Sequence, residues 1–220
     1  RMSINTMSGM SRSQAATALT AAKEFGAQVT GVTLSTEQLA EARTRIEAAG
    51  CTQQIELRLQ DYRDIGDQPF DAIVSIEMFE AVGREYWPSF FATLRDKLKP
   101  GGRACIQSIT IRDDLFERYV RGTDFIQQYI FPGGLLPSPS AFKAAAEKAG
   151  LKVVDEFSFG RDYAETLVRW RHQFLAQQSH VLEIGFDQRF MRIWEFYLAY
   201  CEAAFETGNT DVMQFTLRRA

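Results

Sequence analysis

Two carboxylates that follow a buried strand are the residues of this sequence best placed to do chemistry. Residues 72–76 are apolar enough for a strand inside a parallel sheet, and Glu77 and Glu80 come directly after them. In open parallel sheets, ligands bind beside the carboxyl ends of the strands, so acids at this place are more often functional than acids on a helix face. We therefore predict a site role for Glu80. The alternative is that both acids cap the next helix.

The elements around these acids alternate between strand and helix patterns. Strands are predicted at residues 28–34, 55–59, 70–76, 103–111, 152–159 and 212–218. Helices are predicted at residues 15–25, after Ser35, and at residues 86–98, 164–178 and 188–206. Residues 99–102 predict a turn, whereas residues 1–14 show little periodicity. The alternation favours βαβ units and an α/β fold with a doubly wound, mostly parallel sheet.

Composition narrows the class of protein. A chain of 220 residues fits one domain, and a net charge of −3 without a basic run argues against nucleic acid. No apolar stretch approaches the roughly 20 residues of a membrane span, and the first residues lack the apolar core of a signal peptide. Three widely spaced cysteines favour free thiols in a reducing cytoplasm. The two histidines form no metal-binding spacing with them, so no metal is expected.

Several motifs in the same order carry a resemblance to one family. Residues 73–83, centred on Glu77 and Glu80, resemble the signature of cyclopropane-fatty-acyl-phospholipid synthases, which are S-adenosylmethionine-dependent enzymes acting on lipid double bonds. The likeness runs from about Ala21 to the C-terminus and includes residues 31–35, 61–64, 86–87, 98–102, 124–127 and 129–134. It implies a Rossmann-like methyltransferase fold with an antiparallel final strand and a helical insertion at the lipid site.

The resemblance implies S-adenosylmethionine as cofactor, held at the strand ends. The implied contacts are Thr33, Leu34, Ser35, Gln38, Asp61, Tyr62 and Ile76. Ser35 and Gln38 also have the spacing of a capping box, so capping alone is the alternative for Gln38. Tyr62 could stack on the adenine and Asp61 accept from its amino group, or the pair could be a polar turn with a half-buried tyrosine.

A glycine-rich cofactor loop is expected after the first strand, near residues 9–16, but only Gly9 is present there. We interpret the chain as N-terminally incomplete, either as a fragment with an unrelated start or as a chain with an altered beginning. A frameshift upstream of Ala21 is one hypothesis for the altered beginning, which the coding DNA would test. We expect weak cofactor binding as a result.

The implied reaction moves a methyl carbon from a sulfonium to an alkene and then removes a proton. The resemblance implies bicarbonate as the base, held by Glu80, Tyr163 and the strand segment from Gln107 to Ile109. Many family members have histidine where this chain has Gln107, and glutamine cannot supply a titrating proton. Cys201 matches a cysteine long proposed as catalytic, but it lies on an apolar helix stripe, where a cysteine is usually a small buried hydrophobe.

Residues 112–136 and 160–206 are the segments expected to cover the acyl substrate. The first is rich in aromatic and aliphatic residues from Phe116 to Leu136, with Gly133 and Gly134 as a hinge. Loops this apolar usually line a pocket or meet a membrane, although a core-packing insert is the alternative. We expect an unsaturated phospholipid substrate, transient contact with the inner membrane surface from the cytoplasm, and leave a homodimer open.

Three functional hypotheses remain. The first is formation of a cyclopropane fatty acid on a phospholipid acyl chain. The second is a methyltransferase on the same fold that makes branched methyl or methylene lipids or acts on a small molecule. The third is an inactive lipid-binding remnant, and measured adenosylmethionine binding separates it from the other two.

Overall fold

The structure is a computed structural model that describes residues 2–5 and 11–219. Within these residues the strands are β1 Met2–Asn5, β2 Val29–Thr33, β3 Ile55–Leu59, β4 Phe70–Ile76, β5 Leu98–Ile111, β6 Leu151–Ser158 and β7 Thr210–Arg219. The α-helices are α1 Ser11–Phe25, α2 Thr36–Ala48, α3 Trp87–Lys97, α4 Asp113–Val120, α5 Phe125–Tyr129, α6 Pro139–Lys148, α7 Gly160–Ala176, α8 Gln178–Glu183 and α9 Gln188–Glu206. Short 3-10 turns span Tyr62–Asp64, Phe79–Ala81 and Arg84–Tyr86.

The strands form a single sheet in the order β3-β2-β1-β4-β5-β7-β6. β1 to β5 are parallel, and β7 runs antiparallel to both β5 and β6. The doubly wound sheet and the antiparallel final strand are therefore confirmed. The strand order reverses between β1 and β4, and ligands bind at such a switch point beside the carboxyl ends of the strands.

Three local predictions were wrong or incomplete. Residues 1–14 contain the short strand β1 and the start of α1, although the sequence there shows little periodicity. Residues 99–102 do not form a separate turn before the strand, because β5 begins at Leu98 and includes them. They coincide with a register shift in the pairing of β5 with β4. Helix α6 was not predicted, despite Ser138 capping it and Pro139 beginning it.

A cluster of phenylalanines beneath the carboxyl end of β4 forms the centre of the core. Phe79 contacts Phe90, Phe91 and Phe142, with ring centroids 5.0 to 5.3 Å apart. Phe142, from the unpredicted α6, also stacks on Phe215 of β7 at 4.1 Å. This packing anchors the residue that immediately precedes Glu80.

Helices α2, α7 and α9 follow amphipathic patterns that the sequence indicated. α2 buries Leu39, Ala42 and Ile46 against the sheet, as the sequence indicated. α7 and α9 pack against one another beyond β7 and enclose a second cluster around Leu167, Leu198 and Phe205. No helix in the described ranges has the length and apolarity that a membrane crossing needs.

Candidate active site

A large cleft opens beside the carboxyl ends of β4 and β5, with a volume of about 960 Å³. Its floor is the segment after β4, including Glu77 and Glu80. Its walls come from the insertion after β5 and from α7 and α9. The apolar wall residues include Ile126, Ile130, Phe131, Leu135, Leu136, Leu167, Trp170, Tyr197 and Phe205.

Glu80 lies in the 3-10 turn Phe79–Ala81, where the buried Phe79 fixes the backbone. Part of its side chain reaches the cleft, but its carboxyl oxygen Oε2 is shielded from solvent and has no hydrogen-bond partner among the described residues. Its Oε1 accepts from the backbone N–H of Ile109 at 2.5 Å. The nearby Ser108 hydroxyl donates to the Ile109 carbonyl. Burial, with a smaller contribution from the neighbouring Glu77 carboxylate, raises the pKa of Glu80 to about 7 against the opposing effect of hydrogen bonds that include the Ile109 N–H.

The Glu77 side chain links the carboxyl end of β4 to β5 and α7. Its Oε1 accepts from the Tyr163 hydroxyl at 3.0 Å and from the Gln107 amide nitrogen at 3.1 Å. Gln214 of β7 donates to the Gln107 amide oxygen at 3.0 Å, which orients the Gln107 amide group toward Glu77. Burial raises the pKa of Glu77, and its two hydrogen bonds oppose the rise. Neither Glu77 nor Glu80 caps the helical segments that follow them, because the two 3-10 turns and α3 have no side-chain cap.

Tyr163 reaches this site from the first turn of α7. Burial, the nearby Glu77 carboxylate and its hydrogen bond all raise the pKa of Tyr163 well above its usual value. The phenol therefore stays protonated and acts as a hydrogen-bond donor. The structure thus brings together Glu80, Tyr163, Gln107 and Ile109, as the resemblance implied.

Cys201 also lines the cleft, from α9, beside Tyr197. Burial raises the pKa of the Cys201 thiol to about 12, which opposes a thiolate role at neutral pH. Burial likewise raises the pKa of Tyr197 far above its usual value. Both groups face the cleft as neutral side chains.

The insertion after β5 is attached directly to the floor of the site. The backbone N–H of Leu135 donates to the Glu80 carbonyl at 2.8 Å, and Gln127 donates to the Gly134 carbonyl at 3.0 Å. Gly133 adopts a φ of 82°, which favours glycine at this bend. One expectation was wrong here: Phe116 does not line the cleft but is buried in the core, stacked on Trp87.

The predicted cofactor residues lie at the ends of β2, β3 and β4. Ser35 caps α2, but Gln38 does not complete the capping box. Its side-chain oxygen instead accepts from the Thr33 hydroxyl at 2.8 Å, which leaves its amide nitrogen to donate elsewhere. Leu34 projects from the end of β2 with 55% of its surface exposed.

At the end of β3, Asp61 caps the 3-10 turn and forms a salt bridge with Arg63 at 2.7 Å. Tyr62 packs edge-on against Phe90, at 5.7 Å between ring centroids. Ile76 is the last residue of β4 and pairs in register with Gln107. These residues do not line the large cleft. Residues 6–10, which include Gly9 of the expected glycine loop, lie outside the described residues.

The family model described as mycolic acid cyclopropane synthetase matches residues 15–215. The chain belongs to this family. It is 46% identical over 195 residues to the tuberculostearic acid methyltransferase UfaA1 of Mycobacterium tuberculosis, an alignment that covers 88% of this chain and 45% of that protein. It is 35% identical over 199 residues to the cyclopropane-fatty-acyl-phospholipid synthase of Escherichia coli K12, covering 90% of this chain and 49% of that protein.

Solved structures agree with this membership. The mycolic acid cyclopropane synthase CmaA1, complexed with SAH and CTAB, superposes with a TM-score of 0.86 at 27% identity, covering 98% of this chain and 78% of that chain. The cyclopropane synthase MmaA2 from Mycobacterium tuberculosis gives a TM-score of 0.85 at 26% identity, with the same coverage. The chain spans about half the length of the curated relatives it matches.

The residues at the strand ends of this cyclopropane synthetase family member fit S-adenosylmethionine. The exposed Leu34 follows Thr33, which is hydrogen-bonded to Gln38, at the end of β2, and Asp61 follows the neighbouring strand β3. An apolar surface with polar groups at adjacent strand ends suits an adenosyl group. The residues implied for bicarbonate do not fit that anion. Their donors are already bound by the chain's own carboxylates.

Sequence reasoning gave no specific role to three members of the site. Glu77 was considered only as an acid after a strand, and nothing in the sequence shows its φ of 49°. Tyr119 was expected only within the acyl-chain region, and its hydroxyl accepts from the Leu136 N–H at 3.3 Å and so holds the insertion. Tyr197 lies on a helical aromatic stripe, a pattern that indicates packing as readily as a site.

Proposed function

We propose that this chain transfers the methyl carbon of S-adenosylmethionine to a cis double bond of an unsaturated phospholipid acyl chain, forming a cyclopropane fatty acid. The observation that carries the proposal is an apolar cleft of about 960 Å³ whose floor holds two carboxyl groups. A long acyl chain gains free energy when its apolar surface leaves water, and the cleft offers it aliphatic and aromatic walls.

The reaction needs few polar groups, because the π bond of an alkene is itself the nucleophile. S-adenosylmethionine, when bound, supplies an electrophilic methyl group. The residues of the chain hold the alkene in line with it and exclude water. Aromatic faces such as those of Tyr163, Tyr197 and Trp170 stabilise the positive charge that develops on the lipid. A nearby acceptor then removes one proton.

A methyl- or methylene-branched product is the second candidate. It is supported by the 46% identity with a tuberculostearic acid methyltransferase, against 35% with the cyclopropane synthase of Escherichia coli. The same cation precedes either product, so the choice depends on which bonds rearrange before proton loss. Cyclopropane and methylene products have the same elemental composition, and proton NMR of the extracted lipid separates ring protons from vinylidene protons.

The test incubates the chain with S-adenosylmethionine carrying a labelled methyl group and with vesicles of an oleoyl phospholipid. We expect labelled lipid that gains one CH₂, and its loss in Glu80→Gln. Glu165 is exposed on α7 and does not line the cleft, so Glu165→Gln serves as a matched control that keeps the activity. Labelled small molecules without labelled lipid would contradict the lipid substrate. A chain that binds lipid but no S-adenosylmethionine would support the remnant hypothesis.

We also propose transient contact with an inner membrane surface from the cytoplasm. Tyr129 and Phe131 lie in the insertion beside the cleft with 54% and 47% of their surfaces exposed. Phe196 of α9, which packs on Phe125, is 52% exposed. Exposed aromatic groups at the mouth of an apolar cleft suit the interfacial region of a bilayer. A homodimer remains a prediction, which size-exclusion chromatography with light scattering tests.

A further inference from the structure

The hydrogen-bond donors that the family resemblance assigns to a bound bicarbonate are taken by side chains of this protein. The Tyr163 hydroxyl and the Gln107 amide both donate to Oε1 of Glu77, at 3.0 and 3.1 Å. The Ile109 N–H donates to Glu80. A carboxylate resembles bicarbonate in its planar pair of oxygens and in its charge. One carboxylate of the chain thus already fills the position between the phenol and the amide.

The backbone is held in an unusual conformation that keeps this carboxylate in place. Glu77 is the one residue other than glycine with a positive φ in the described ranges, at 49°. Its N–H donates to the Gln107 carbonyl at 2.9 Å, so the two residues are joined through both backbone and side chain. Glycine would adopt this conformation without strain, so a glutamate here carries backbone strain that must be compensated by what its side chain does.

Charge also opposes an additional anion. Glu77 and Glu80 interact unfavourably, and burial disfavours the charged form of each. A bicarbonate ion beside them would add a third negative group to a site whose donors are already engaged. Like charges at short range repel unless a proton or a donor intervenes.

We propose that Glu77 takes the place of bicarbonate in this protein and is the group that accepts the proton in the last step of the reaction. The chemical step of this inference rests on the proposed lipid function, whereas the exclusion of bicarbonate does not depend on that function. Glu77 faces the cleft in which the acyl chain binds. Gln107 and Tyr163 are positioning residues that hold its carboxylate, and Glu80 holds the adjoining strand through Ile109.

The step balances without another reagent. The π electrons of the alkene form a bond to the methyl carbon while the sulfur–carbon bond breaks and its electron pair stays on sulfur. The other alkene carbon becomes cationic. A Glu77 oxygen takes a proton from the transferred methyl group, and the carbon–hydrogen electron pair closes the ring. If a hydride first shifts to the cationic carbon, the same proton loss leaves a methylene group. Glu77 then returns its proton to water.

Binding of bicarbonate is the first readout, and it requires neither cofactor nor turnover. ¹³C-labelled bicarbonate is titrated into the full chain, and its NMR linewidth and the thermal unfolding midpoint are followed. We expect no saturable broadening and no stabilisation in the wild type. Glu77→Gly removes the carboxylate and suits the positive φ, so it should fold and bind bicarbonate. Saturable binding to the wild type at the same site, lost in Tyr163→Phe, would overturn the inference.

Turnover in buffer depleted of carbon dioxide is the second readout. The wild type should keep its activity, and Glu77→Gln should lose about 10²- to 10⁴-fold, the range typical of a general base. Glu77→Gly should lose as much, but added bicarbonate should restore at least about tenfold. The control Glu165→Gln, at an exposed carboxyl of α7 that does not line the cleft, should behave as the wild type.

The outcomes separate this inference from the proposed function. If the wild type methylates lipid only when bicarbonate is added, the proposed function stands and the role of Glu77 is overturned. Near-normal turnover by Glu77→Gln leads to the same conclusion. A wild type that makes no lipid product, yet excludes bicarbonate while Glu77→Gly binds it, overturns the function and supports the replacement of the anion by Glu77.

Discussion

Substitution of Glu80 by glutamine should change the pH dependence of stability in a direction set by burial. The pKa of Glu80 rises from its usual 4.5 to about 7 in the folded protein. At about 1.4 kcal/mol per pH unit, ionising this carboxyl in the folded state costs up to about 3 kcal/mol. The unfolded chain ionises it near its usual pKa without that cost.

The direction in which the free energy of unfolding changes with pH follows from the protons bound by the folded and unfolded states. Between pH 4.5 and about 7 the folded state holds a proton on Glu80 that the unfolded state has released. The free energy of unfolding therefore falls as pH rises through this window, and the loss is complete above the folded pKa. Below the unfolded pKa both states are protonated, so there is no effect. Glu80→Gln removes this loss, because an amide does not titrate.

Urea denaturation of the wild type and of Glu80→Gln at several pH values from about 4.5 to 8 measures the effect. We expect the difference between the two free energies of unfolding to shift by up to about 3 kcal/mol in favour of the variant as pH rises. The new amide has to find an acceptor, and an unpaired one costs about 1–3 kcal/mol at every pH. The informative quantity is therefore the change with pH and not its absolute level.

Glu165→Gln is the matched control, because it makes the same change at an exposed carboxyl of α7 and leaves Glu77 and Glu80 in place, so it should keep the fall with pH. A difference between wild type and Glu80→Gln that does not change with pH would refute the claim that burial perturbs this carboxyl. Turnover should meanwhile fall by about 10²- to 10⁴-fold in Glu80→Gln. A variant that gains stability at pH 8 while losing activity would identify Glu80 as a residue kept for function.

Three further predictions concern other parts of the chain. Because the expected glycine loop is absent around Gly9, calorimetric titration should give weak binding of S-adenosylmethionine that still supports turnover at high cofactor concentration, and a low-micromolar affinity would contradict this. Cys201→Ala should keep turnover within about threefold, since its thiol stays protonated, whereas a loss above about 100-fold would indicate a thiolate role. Tyr129→Ser combined with Phe131→Ser should weaken vesicle flotation about tenfold or more, while Phe25→Ser, which removes an even more exposed aromatic at the end of α1, should not.

Most of the sheet was predictable because its strand segments have a recognisable local pattern of apolar residues. The runs that became β3 and β4 were bounded correctly, since apolar residues alternate with charged ones in β3 and are nearly continuous in β4. β1 was not, because four residues are too few to show a period. The pairing of β1 between β2 and β4 comes from long-range contacts that no local pattern contains.

The site was only partly predictable for a related reason. Glu80, Tyr163, Gln107 and Ile109 could be assigned from motifs, and they do lie together. The hydrogen bonds of Glu77 depend on a backbone conformation that the sequence does not reveal. Phe116 was misplaced because an aromatic residue beside a pocket and one beneath it have the same local pattern.

The position of the two acids depends on the core beneath them. Phe79 immediately precedes Glu80, and its ring is buried completely among aromatic neighbours. Replacing such a buried phenylalanine by alanine typically costs about 3–5 kcal/mol. That is comparable with the charging cost of Glu80 and larger than the strain of about 1–3 kcal/mol that a positive φ imposes at Glu77. Because the core holds this segment from below and Leu135 holds it from above, the chain can keep a strained turn and a buried carboxyl in one short stretch.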